Sequence, residues 1–116
     1  MTDALVRTVS EDGGVSVRAV VGTALLREAA RRHGTSATAT RALGRTLLGA
    51  VLLASGLDDE ETVQIQLRGD GPLGSVTAIS DGRGRVRGFV SHPATDLPLR
   101  DGQPDVARDV DPTWVP

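Results

Sequence analysis

The stretch from Thr35 to Leu57, TSATATRALGRTLLGAVLLASGL, limits the possible folds most, because it holds the longest run without a charge, Thr46 to Leu57. Leu43, Leu47, Val51 and Ala54 recur at helical spacing on one side, while Leu48, Leu52 and Leu53 cover much of the rest. A helix with no broad polar face must lie between two layers. A membrane span takes about 18 or more apolar residues, and Arg41 and Arg45 stop this run short of that. Gly44, Gly49, Ala50 and Ala54 leave little side chain on the helix surface. Since Gly49 costs about 1 kcal/mol in helix propensity relative to alanine, close approach of a neighbouring strand or helix is its expected purpose.

The flanking segments supply the layers. Ala4 to Val9, the turn Glu11-Asp12-Gly13-Gly14 and the alternating run Val15 to Val21 predict a β-hairpin, with Val15, Val17, Ala19 and Val21 on one face. Thr23 is the expected N-cap of a helix over 24–33, with Leu25, Leu26, Ala29 and Ala30 inward and Gly34 as its stop. Its last turn carries Arg31, Arg32 and His33, where positive charge suits the helix dipole. Thr35 or Ser36 caps the uncharged helix and Gly56 is expected to end it, ahead of a solvated acidic connector, Asp58 to Glu61. Thr62 to Arg68 is the cleanest strand, with Val63, Ile65 and Leu67 on one side. Strands over 75–80 and 85–91 follow, separated by Asp81-Gly82-Arg83-Gly84, so an antiparallel meander is expected. The fold class is therefore α+β. Pro98, Pro104, Pro112 and Pro116 then make regular structure improbable, which divides the chain into a domain over 1–99 and a loosely held Pro-rich tail over 100–116.

Residue usage removes several chemistries. All thirteen basic residues are arginine and there is no Cys, Tyr or Lys. Schiff-base lysines, phenol acids, thiol nucleophiles, disulfides and thiolate metal sites are thus excluded. The net charge of -2 provides no overall field to gather nucleic acid or anionic lipid. Phe89 and Trp114 are the only aromatics, so the core must be thin. No basic-then-apolar leader opens the chain, and the cytosol is the default compartment.

The remaining motifs have plain explanations. The Gly69 to Gly74 loop lacks the GK[ST] ending of a phosphate loop and joins two strands instead of opening a helix. His33 and His92 have no second ligand at metal spacing. Ser55 and Ser75 lack the pattern of a serine nucleophile. Arg83, Arg85 and Arg87 alternate and are expected to project from one side of a strand, which makes them a candidate anion or RNA contact. With no aromatic read as available for stacking bases, nucleic acid is the weakest of the candidate partners. No enzyme chemistry and no cofactor are expected.

Four segments together carry a resemblance: TALLREAARRH from Thr23, SATATRALGRTLLGAVLL from Ser36, VQIQLRGDGPLG from Val63 and GRVRGFVSHPATD from Gly84. A GDGPLG turn after a VQIQ strand, with an ALGR helix about twenty residues earlier, resembles the N-terminal region of the heat shock protein 33 family of redox-regulated holdase chaperones. The likeness runs from Asp3 to Leu99 and continues faintly at Asp105-Val106. It departs at Ala37, where a proline is usual, and at Ala107 and Asp111-Pro112, where glycines are usual. The family motif turn maps onto Gly69, Asp70, Gly71, Pro72, Leu73 and Gly74.

The resemblance implies an ATP-independent cytosolic chaperone of the stress response that binds unfolded proteins, often as a dimer. The family's redox switch, a zinc centre of four cysteines, has no counterpart in a chain without cysteine, so no zinc is expected. The chain reads as a truncated version of the family's N-terminal domain. A sheet without its later strands exposes an edge and an apolar face, so self-association or client binding is expected at Val63, Ile65 and Leu67. The alternative is a non-enzymatic assembly fragment whose sheet is completed by a partner chain.

Overall fold

Ser36 opens the uncharged helix: its hydroxyl accepts a hydrogen bond from the Ala39 N–H at 3.2 Å, satisfying one of the donors that a helix start leaves free. In a computed structural model, which describes residues 3–69 and 71–94, this helix is the second of two. The order is β1 (Ala4–Val9), β2 (Ser16–Val21), α1 (Thr23–His33), α2 (Ala37–Ala54), β3 (Thr62–Leu67), β4 (Val76–Asp81) and β5 (Val86–Val90). β1 and β2 form an antiparallel hairpin, and β3-β4-β5 form an antiparallel meander. The expected α+β class and strand order are found. The division at residue 100 lies outside the described residues.

Alternation along the meander decides what α2 meets. Val76 and Ala78 of β4 face inward, in register with Leu67 and Ile65 of β3 and with Val90 and Gly88 of β5. Against them α2 sets Ala39, Ala42, Leu43, Leu47 and Ala50, all at most 2 % exposed. Leu25 and Ala29 of α1 also pack against this cluster, and β2 touches α2. Thus α2 meets strands of both sheets as well as α1. Leu53, by contrast, is 60 % exposed.

Local details correct the sequence reading at three points. Gly22, not Thr23, is the N-cap of α1, and no capping hydroxyl is present there. Instead the Asp3 carboxylate accepts from the Ala24 and Leu25 N–H groups, each at 2.9 Å, so the start of β1 supplies the cap. A bond across some twenty residues cannot be seen in the spacing around Thr23. α2 ends at Ala54 with Ser55 as C-cap, whose hydroxyl donates to the Leu52 carbonyl at 2.7 Å. Gly56 is therefore not the stop. Close packing through glycine occurs at Gly44, where a Cβ would run into the Leu26 side chain, whereas at Gly49 it would sit 3.7 Å from Ile65 Cδ1, an ordinary contact.

The loop after β3 contributes more than a reversal. Gly74 has φ +77°, a conformation that L side chains rarely adopt, and a Cβ there would lie 2.8 Å from that of Ser91. This tight passage pulls Leu73 fully into the core, at 0 % exposure, and its carbonyl accepts from the His92 N–H. Replacing Leu73 by alanine should therefore remove about 2–5 kcal/mol of stability, while the same change at Leu53 should stay within about 0.5 kcal/mol. Urea unfolding of the two variants checks this assignment.

Candidate functional site

Exposed apolar surface is concentrated on the hairpin. Leu5, Val6, Val9, Val15, Val17 and Val21 are each between 44 % and 60 % exposed. The register places Val6, Val17 and Val21 on one face, and Leu5 and Val9 on the other. Val6 stands opposite Ala19, Thr8 opposite Val17 and Ala4 opposite Val21, which makes one nearly continuous apolar face. A two-stranded ribbon also has two free edges and little to cover either side. The predicted shared face of Val15, Val17, Ala19 and Val21 thus turns outward, with Val15 just ahead of β2.

The other hairpin face carries Arg7 directly opposite Arg18. Like charges in register repel, and Arg18 is drawn inward until its Nε is buried with no hydrogen-bond partner. Its guanidinium reaches the end of α2, where a Cβ on Gly56 would come within 2.8 Å of Nη2. The negative end of the helix dipole offsets the charge there. On this face Arg18 and Val20 are half-buried, while Leu5 and Val9 remain exposed.

The residues singled out from sequence separate into different settings. Val63 and Ile65 are half-buried on the face toward α2, with Ile65 packed on the core, and only Leu67 of the three is exposed, at 41 %. Gly69, Gly71, Pro72, Leu73 and Gly74 form the tight loop already described, while Asp70 lies outside the described residues. Arg83, Arg85 and Arg87 do not form one row on a strand. Arg83 is in the β4–β5 turn, 3.6 Å from Asp59, and Arg85 donates to Asp81 at 2.6 Å. Asp81 draws both into the turn by also accepting their backbone N–H groups. Arg87 alone belongs to β5, and Phe89, 52 % exposed, shares its face two residues on. An aromatic does therefore stand beside this arginine.

Electrostatics elsewhere is structural. Arg31 and Arg32 both grip Glu28 at 2.7 Å, and these bonds pull its carboxyl down to about 2. The Ser10 hydroxyl, then the Gly14 N–H, lower Asp12 in the hairpin turn. Burial raises Asp81, but the Arg85 guanidinium and the N–H groups of Arg85 and Arg83 outweigh it and hold the carboxyl below the ordinary aspartate range. Among the described residues no three His, Asp or Glu side chains converge as metal ligands, and no helix is long and apolar enough to cross a membrane.

A depressed carboxyl stabilises the fold above the ordinary aspartate value of about 4, and that contribution disappears as pH falls through the native value. The stability gap between the natural chain and Asp81→Asn should thus narrow between about pH 6 and pH 2. Urea unfolding across that range measures it; a gap independent of pH would contradict the assignment.

Comparison with known proteins agrees with this architecture. The chain matches the family described as "Hsp33 protein" over residues 3–113. It is 46 % identical over 112 residues to a 33 kDa chaperonin of Microcystis aeruginosa, covering 95 % of this chain and 37 % of that protein. Against the 33 kDa chaperonin of Synechococcus elongatus the identity is 40 % over 117 residues, covering 99 % and 39 % respectively. A solved 33 kDa chaperonin from Thermotoga maritima superposes with a TM-score of 0.87 at 34 % identity, covering 91 % of this chain and 37 % of the other. The chain spans a little over a third of the length of these relatives.

Proposed function

Because the chain belongs to the Hsp33 family, we infer that it is a holdase-type chaperone module, binding unfolded proteins without ATP and without a redox switch. The observation that carries this reading is the hairpin: six large apolar side chains exposed on one two-stranded ribbon whose edges are both unpaired among the described residues. Such a surface suits a client that has not folded. An extended segment can pair with a free edge by backbone hydrogen bonds that ignore sequence, while its apolar side chains meet Val6, Val17 and Val21. Leu67, at the exposed end of β3, extends the same chemistry to the second sheet; Val63 and Ile65 serve mainly to seat β3 on α2.

Nothing in this mode needs a reacting group. The family's name for its relatives, chaperonin, fits a function carried by surface and not by catalysis. With no cysteine in the chain, control by thiol oxidation has no group to act on. A cytosolic setting and self-association through the same exposed margins belong to this reading. A second reading, in which a partner chain completes the sheets, is favoured by one observation: among the described residues both sheets end in unpaired strands.

The decisive assay is light scattering of a heat-unfolded enzyme with increasing amounts of the chain. Suppression of aggregation at several-fold molar excess is expected, unchanged by peroxide and roughly halved or worse in Val6→Thr/Val17→Thr. Absence of suppression by the folded chain would overturn the chaperone reading. Suppression that survives intact in the double variant would move the client surface away from the hairpin.

A further inference from the structure

The outer face of the meander, turned away from α2, holds a recess that the chaperone reading does not use. By register this face presents Gln66, Thr77 and Phe89 in one row and Gln64, Ile79 and Arg87 in the next. The last turn of α1 brings Arg32 and His33 to its rim, enclosing about 500 Å³ over Thr77, Ile79, Arg87 and Phe89.

Three features of the recess point to one kind of ligand. Phe89 is 52 % exposed, an aromatic ring left standing on a face of otherwise mainly polar residues. Thr77 is only 4 % exposed, yet its Oγ1 has no hydrogen-bond partner, although buried hydroxyls in folded proteins nearly always have one. Arg87 takes part in none of the ion pairs found among the described residues, which occupy Arg31, Arg32, Arg83 and Arg85. The nearby carboxylate, Glu28, is already engaged by both Arg31 and Arg32, so it does not neutralise Arg87.

We propose that this recess binds a small aromatic carboxylate. The ring lies against Phe89 and Ile79, the acid group meets the Arg87 guanidinium under the positive rim of Arg32, and rotation of the buried Thr77 side chain brings its hydroxyl to donate to an oxygen of the ligand. Offset or edge-on contact with Phe89 supplies the aromatic preference, and the planar guanidinium suits a two-oxygen anion. A volume of this size accommodates a two-ring ligand within the range usual for small-molecule sites. The site shares no residue with the hairpin, so its failure leaves the chaperone reading untouched, and the converse holds.

The test is titration of the full chain with 2-naphthoate, followed by amide chemical shifts. Saturable shifts centred on Thr77, Arg87 and Phe89 are expected. Arg87→Gln and Phe89→Ala, both at exposed positions, should each weaken binding at least fivefold, and Thr77→Val about threefold. Arg83→Gln, outside the recess, should leave it unchanged. The neutral 2-naphthamide should bind at least tenfold more weakly, and added salt should weaken the acid alone. Absence of saturable shifts, equal binding of acid and amide, or full affinity in Arg87→Gln would overturn the proposal. So would loss of binding in Val6→Thr, which would show nonspecific association with the hairpin.

Discussion

Everything described rests on the fit between one face of α2 and the inner face of the meander. Leu43 and Leu47 of the helix, with Ala39, Ala42 and Ala50 between them, meet Val76, Ala78 and Val90 of the sheet. Small residues let the two surfaces approach, and the leucines fill what remains. No described residue of this core is aromatic, so burial is shared among many modest side chains, the leucines and valines each contributing about 1.5–3 kcal/mol when fully buried and the alanines less. Leu73 is the one large core residue that comes from a loop, and the left-handed Gly74 beside it keeps that loop narrow. Leu73 and Gly74 of the motif turn accordingly serve packing.

Against this centre the hairpin is an attachment. It is tied by Asp3, which caps α1, and by Arg18, which reaches the end of α2. Both ties are polar and both leave the Val6, Val17 and Val21 side uncovered. A surface held this way is stable without being buried, which is what a module that meets unfolded chains requires. The proposed chaperone activity draws on the family assignment, and the exposed hairpin is the surface proposed to carry it.

Much of this was legible in the residues. The uncharged run located α2; period-two alternation located β2 and β3, and turn residues bounded the other strands; and the VQIQ strand with its GDGPLG turn pointed to the family. What stayed hidden were relations across long sequence separations. Alternation shows that Val63, Ile65 and Leu67 share a face, but it does not say whether a helix already covers that face, and α2 largely does. The same pattern in β2 gave an apolar face that nothing among the described residues covers. Thr23 had the right chemistry for a cap, yet Asp3 holds the position because the hairpin folds back to it. Arg83 and Arg85 alternate with Arg87 in sequence, but the Asp81 carboxylate gathers them into a turn. Strand alternation was enough to put Phe89 beside Arg87 on one face, but not to show that Arg32 and His33 of α1 border it.

The central claim, that α2 and the meander form the stable body while the hairpin meets clients, is tested most directly by amide hydrogen exchange with and without an unfolded client protein. The account predicts slow exchange in residues 39–54 and 76–81 under both conditions, and new protection on client addition in 4–9 and 16–21. Protection that appears in β3 instead, or no change in the hairpin while client is held, would contradict it.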